Sequence, residues 1–160
     1  MTTPPRRVAL YAAALVLLQP GASGAVQSDD GDDQALVADA DYAAGLAALK
    51  AGDAAGALGR FQSALKRFPD AANLHNELGF AHRKLGRYEL AFVHYRRALA
   101  IDPRHRAAHE YIGEAYLAVD DVAGAERHLK ALGDICLLPC DEQRDLRRAI
   151  EAHRARPRPR

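Results

Sequence analysis

Apolar and small residues along this chain follow helical spacing, no alternating strand pattern competes, and a longer interval is laid over them. Gly45, Gly79 and Gly113 lie 34 residues apart, as do Ala57, Ala91 and Ala125, and Phe61, Tyr95 and Leu129. Ala64 and Ala98 keep the interval until Leu132 takes the third place, and Pro69 and Pro103 close the first two units. A period of this size marks stacked supersecondary units that cannot bury their apolar faces alone. Gly or Ala where two helices cross lets the axes approach, and a ring fills the groove that remains. Turns are expected at Gly52-Asp53, Gly86-Arg87 and Asp120-Asp121. Helices end at Phe68-Pro69 and Asp102-Pro103, because a residue before Pro is pushed out of the helical region. The pattern therefore predicts helices near 38–50, 54–67, 72–84, 88–100, 106–118 and 122–134.

Leu78-Gly79, His82, Ala91, Tyr95, Ala98 and Pro103 make the middle unit the fullest, and together the three units resemble the tetratricopeptide repeat. The resemblance covers residues 38 to 139 and implies an all-α, right-handed helical-repeat solenoid of three antiparallel helix pairs, units 38–71, 72–105 and 106–139. The chain departs from the family where Leu132 replaces Ala and where Leu137 stands with the Pro delayed to Pro139. A larger residue at 132 suggests that the last unit meets something other than another repeat. Asp41, His75 and His109 occupy the place where the family usually carries a large aromatic.

A polar helix is needed to cover the open end of such a stack. Residues 140–154 supply it: Leu146, Ala149, Ile150 and His153 form one stripe, with acids at the start and Arg154 at the end. At the other end, residues 1–25 read as a secretory signal peptide, with Arg6 and Arg7, an apolar run from Val8 to Leu18 and small residues up to Ala25. The run is too short to span a bilayer, so export to a periplasm or similar oxidising space is expected, with cleavage near Ala25. Residues 26–37 read as an acidic flexible linker, since Asp29 to Asp33 lack calcium-loop spacing, and residues 155–160 as a basic Pro/Arg tail.

Removing Arg6 and Arg7 takes 22 basic side chains to 20 against 21 acidic ones, so the mature chain is not a general nucleic-acid binder. Cys136 and Cys140 are the only cysteines. In an exported protein they read first as a structural disulfide, with copper handling or thiol exchange through the C-x-x-x-C pair as the competing reading. Seven His invite a metal, and His105 and His109 are four apart, but no third carboxylate-rich ligand accompanies them, so no metal or other cofactor is expected. No phosphate loop or nucleophile elbow occurs, which argues against an enzyme.

The family resemblance implies that the first helix of each pair lines a concave groove that takes an extended peptide or a helix. The matching positions are Tyr42, Leu46 and Leu49, then Asn76, Phe80 and Arg83, then Glu110, Glu114 and Leu117. The Lys and Asn set that clamps a terminal carboxylate in some family members is missing. An apolar end, one Arg and two acids suit a peptide with an apolar anchor and a basic flank. The expected function is a non-enzymatic protein-interaction module, an adaptor or assembly factor of the cell envelope, with a peptide or protein partner. Self-association through the open end of the solenoid is an alternative.

Overall fold

The computed structural model describes residues 30–157, and among them eight α-helices and no strands are found. They are α1 (Asp30–Val37), α2 (Ala40–Lys50), α3 (Ala54–Leu65), α4 (Ala72–Lys84), α5 (Tyr88–Ile101), α6 (Arg106–Ala118), α7 (Val122–Ile135) and α8 (Asp141–Arg154). The predicted repeat helices are all present, with ends displaced by at most two residues. Short links make α2 and α3, α4 and α5, and α6 and α7 adjacent pairs, each pair packs on the next, and α8 closes the stack against α6 and α7. Because α2 also touches α4 and α4 touches α6, the first helices form the inner row.

The turns within the pairs fall at one place in the repeat. Gly52, Gly86 and Asp120 have φ of 82°, 69° and 61°, a left-handed conformation that glycine adopts freely and Asp tolerates better than most residues. The next residue begins the second helix of each pair. Asp53 and Asp121 accept a hydrogen bond from the Gly56 and Gly124 N–H, both at 2.8 Å, each cap being worth about 1 kcal/mol. Arg87 occupies this place in the middle unit and gives α5 no side-chain cap.

Within each pair a glycine meets a bulky side chain. A Cβ built on Gly79 would lie 2.6 Å from the Tyr95 ring, and one on Gly45 would collide with Phe61. Both rings are completely buried, and each contributes roughly 2–3 kcal/mol by leaving water. The third unit differs. Leu129 is too short to fill the groove, and the side chain against Gly113 is Leu146 of α8, 2.7 Å from where a Cβ on that glycine would lie. Leu132, Leu146 and Ile150 are buried together, so the departure at 132 does mark where the cap docks.

The expected flexible linker is corrected: its described part is helix α1. Leu36 has no exposed surface and joins the core of the first unit, and Asn73 Nδ2 donates to Asp33 Oδ1 at 3.1 Å. The acidic composition concealed one apolar anchor sufficient to dock a short helix. The signal-peptide segment, residues 26–29 and the end of the basic tail lie outside the described residues.

Cys136 ends α7, Cys140 begins α8, and a disulfide joins them across a Cα separation of 6.0 Å. The loop it closes holds Leu137 and Leu138 in solvent.

Gly79→Leu should drive a side chain into Tyr95 and cost about 1–3 kcal/mol by overpacking, spreading to neighbouring units because each supports the next. A lowered thermal midpoint by circular dichroism is the expected outcome, and an unchanged one would contradict the Gly79–Tyr95 contact. Replacing Cys136 and Cys140 by Ser should remove roughly 2 kcal/mol, the loop-closure value for so short a loop, and loosen the cap first. Hydrogen exchange should show α8 opening earlier than α4 in that variant.

Candidate functional site

The inner row carries the candidate groove, and its centre lies where α4 faces α6. Phe80 and Tyr111 meet there with ring centroids 5.0 Å apart. The Arg83 guanidinium lies 5.1 Å from the Phe80 centroid and 5.5 Å from that of Tyr111, and the Lys84 ammonium is 5.1 Å from the Phe80 ring. Arg83 also pairs with Glu114 at 2.7 Å. This ion pair changes the expected role of both residues, because each neutralises the other and neither is left to set the register of a partner by charge.

Above that pair the face is acidic. Glu77 accepts a hydrogen bond from Asn76 Nδ2 at 3.2 Å, and burial raises its carboxyl above the usual range. Burial, then the neighbouring carboxylates Glu114, Asp145 and Glu142, push Glu110 up to about 7. Burial, with Glu110 and Glu77 adding to it, also raises the Tyr111 hydroxyl.

Three expected groove residues are corrected. Tyr42, Asn76 and Leu117 are buried within the helix layers, Tyr42 against Phe61 with centroids 5.9 Å apart, and burial drives its hydroxyl up to about 12. Helical phase put them on the inner side, but packing covers them: Tyr42 lies in the first-unit core with Phe61, and Leu117 packs with Ala125 and Leu132 of α7 and Leu146 and Ile150 of α8. Leu46 is exposed, and Leu49, Phe80, Arg83, Glu110 and Glu114 are half-buried on this face. Sequence reasoning missed Glu77 and Tyr111, although each lies three residues before Phe80 or Glu114 and so shares its helix face.

The histidines form a repeated device. His75 Nε2 donates to the Pro69 carbonyl at 3.0 Å, which leaves its Nδ1 to accept from His94 Nδ1 at 3.2 Å. One repeat on, His109 Nε2 donates to the Pro103 carbonyl at 3.1 Å, and its Nδ1 lies 2.9 Å from His128 Nδ1. His82 stacks on His94, and Tyr116, its counterpart, stacks on His128. In the first unit Asp41 and Arg60 take these places and form an ion pair at 3.4 Å. The missing family aromatic is thus replaced by a polar tie between paired helices. His105 is the N-cap of α6, accepting from the Ala108 N–H, so it does not act with His109 as a helical ligand pair. Among the described residues no group of three His, Cys, Asp or Glu is placed to hold a metal.

Two family profiles described as tetratricopeptide repeat match residues 42–104 and 82–135. Comparison with curated proteins gives no match. Among solved structures, the chain is similar to the first TPR of Spaghetti (RPAP3) bound to the HSP90 peptide SRMEEVD. That likeness has a TM-score of 0.65 at 16% identity and covers 76% of this chain and 98% of that one. It is also similar to the Sgt2 TPR domain from Aspergillus fumigatus, with a TM-score of 0.59 at 21% identity over 77% of each chain. At these identities the likeness concerns the fold. With its 34-residue helix pairs and the two profiles spanning 42–135, the chain belongs to the tetratricopeptide repeat family.

The histidine ties make stability depend on pH. Burial, then His75 and His82, lower His94 to about 4, and burial, then His109 and Arg127, lower His128 to about 4. The unfolded chain therefore binds more protons than the folded one between pH 4 and the ordinary value near 6.5, so stability rises with pH across that window. It is fully present above the upper limit and lost as pH falls toward the lower. Both rings retain some solvent contact, so a loss of about 1 kcal/mol per tie between pH 7 and pH 5 is expected after screening. Urea midpoints at the two pH values should fall further in the wild type than in a His94→Leu, His128→Leu variant, and equal falls would refute the assignment.

Proposed function

We propose that this chain is a non-enzymatic adaptor or assembly factor that holds an extended peptide or helix of a partner protein against the inner face formed by α2, α4 and α6. The observation that carries this reading is the half-buried Phe80–Tyr111 pair at the centre of the inner row. A rigid aromatic anchor of this kind, ringed by charged groups, has the anatomy of a binding hot spot. Leu46 and Leu49 extend the apolar surface toward the first unit. The Spaghetti (RPAP3) domain in complex with a peptide supports peptide binding on this fold. Its ligand SRMEEVD carries more acids than bases, whereas this inner face holds Glu77, Glu110 and Glu114, so a peptide of opposite charge character fits here. The amino-terminal Arg pair and apolar run support placing this adaptor outside the cytoplasm, where the Cys136–Cys140 disulfide is stable.

Affinity capture from an envelope extract, followed by identification of what is retained, supplies the partner. Phe80→Ala should weaken capture by about 2 kcal/mol or more, close to thirtyfold in affinity. Gln62→Lys, on the exposed side of α3, should capture normally. If the Phe80 variant is folded by circular dichroism and captures as well as the wild type, the inner face is not where the partner binds.

A further inference from the structure

The two imidazole ties have a second chemical use. His75 of α4 and His94 of α5 face each other through their Nδ1 atoms at 3.2 Å, and His109 of α6 and His128 of α7 do so at 2.9 Å. Such separations suit an N–H···N hydrogen bond. They also suit a shared metal ion. Two imidazole nitrogens bound to one ion at about 2.0–2.1 Å stand about 3.3 Å apart at a tetrahedral angle and about 2.9 Å apart at a right angle. A proton and a metal ion are therefore exchangeable between these rings with little movement of the helices.

The surroundings hold one ring of each pair ready to be a ligand. His75 Nε2 donates to the Pro69 carbonyl at 3.0 Å and His109 Nε2 to the Pro103 carbonyl at 3.1 Å, so the free lone pair of each ring lies on Nδ1. A backbone carbonyl behind the ring is a usual means of fixing the tautomer and orientation of a metal-ligating histidine. His94 and His128 reach the same state by moving a proton from Nδ1 to Nε2, which has no hydrogen-bond partner among the described residues. Stacking on His82 and on Tyr116 holds their planes. Both rings are half-buried on the second helices, which gives an ion a way in from solvent. The first unit lacks the device, because Asp41 and Arg60 stand there and a guanidinium has no lone pair to offer.

We propose that His75 with His94, and His109 with His128, are two binding sites for an imidazole-preferring divalent transition metal ion, copper(II) above zinc(II). Each site supplies two protein nitrogens and, among the described residues, no third ligand, so water keeps the remaining positions. Imidazole suits both metals, and copper(II) binds a given nitrogen set more tightly than zinc(II). A bound ion replaces one hydrogen bond by two coordinate bonds, tying α4 to α5 and α6 to α7. It stabilises the chain because the paired nitrogens come together only in the fold. Neither the inner face nor the cysteines take part, since the disulfide leaves no free thiol.

Calorimetric titration of the intact protein with copper(II), zinc(II) and magnesium chlorides tests this. Copper(II) should bind at two sites per chain, zinc(II) more weakly at the same two, and magnesium at neither. His94→Gln and His128→Gln keep an amide donor for the facing Nδ1 but remove a ring nitrogen. Each should weaken one site by more than the roughly tenfold that loss of an outer-shell partner costs, and the double variant should lose both. Zinc(II) should raise the thermal midpoint of the wild type and leave that of the double variant unchanged. Nitrogen NMR reads the sites without any substitution: zinc(II) should shift the Nδ1 resonances of His75, His94, His109 and His128, and not those of His105 or His153. Phe80→Ala should bind both ions as the wild type does, so the outcome is independent of the peptide groove. No saturable copper(II) binding, undiminished binding in the double variant, or shifts confined to His105 and His153 would overturn the proposal.

Discussion

Close approach of paired helices is the constraint on which the rest of this structure depends. It is created where Gly45 and Gly79 leave room for Phe61 and Tyr95, and where Gly113 leaves room for Leu146. With the axes held that near, each unit packs on the next, and three apolar clusters follow along the stack: one across α2, α3 and α4, one between α5 and α6, and one beneath α8. The inner row is a by-product of the same contact. Packing among the helices buries Tyr42, Asn76 and Leu117 and leaves Phe80, Glu110 and Tyr111 partly open. The cap completes the third unit, where Leu129 stands at the place that Phe61 and Tyr95 fill with a ring in the other two. Leu146 makes the connection, and the disulfide fixes the corner from which α8 reaches it.

The polar ties show how one position can be solved by different chemistry. At equivalent places the three units carry Asp41–Arg60, His75–His94 and His109–His128. Each tie joins the first helix of a pair to the second, which a large aromatic would otherwise do by packing. The ion pair lies at the more exposed end, where solvation of both charges costs little. The imidazole pairs lie deeper, where a neutral hydrogen bond avoids the desolvation of a charge. Anchoring of the donor tautomer by the Pro69 and Pro103 carbonyls ties the device to the turn that ends the preceding unit. The same Pro that stops one helix thus orients the histidine that pins the next pair.

Much of the fold was legible from residue spacing, and the reasons are local. A 34-residue interval repeated in Gly, Ala and aromatic positions overdetermines six helices, and Gly or Asp at the turns marks their ends. Helix α1 was not legible, because a run of Asp resembles a solvated linker and only Leu36 signals docking. The candidate site was less accessible. Helical phase gives the side of a helix, and it does not say how near the next helix comes, so buried and open residues of the inner row could not be separated. Long-range pairs were also hidden: nothing local in the chain indicates that Arg83 is neutralised by Glu114, or that His75 meets His94.

The half-buried acids and imidazoles pull stability in opposite directions. A histidine held neutral in the fold weakens it as pH falls. A carboxyl whose folded value is raised, such as Glu110, does the reverse, since the folded chain binds its proton more tightly than the unfolded one. Its contribution is therefore lost as pH rises from the ordinary carboxylate value through about 7. The histidines have a structural return in the helix ties and Glu77 accepts the Asn76 amide, whereas Glu110 has no hydrogen bond or ion pair among the described residues.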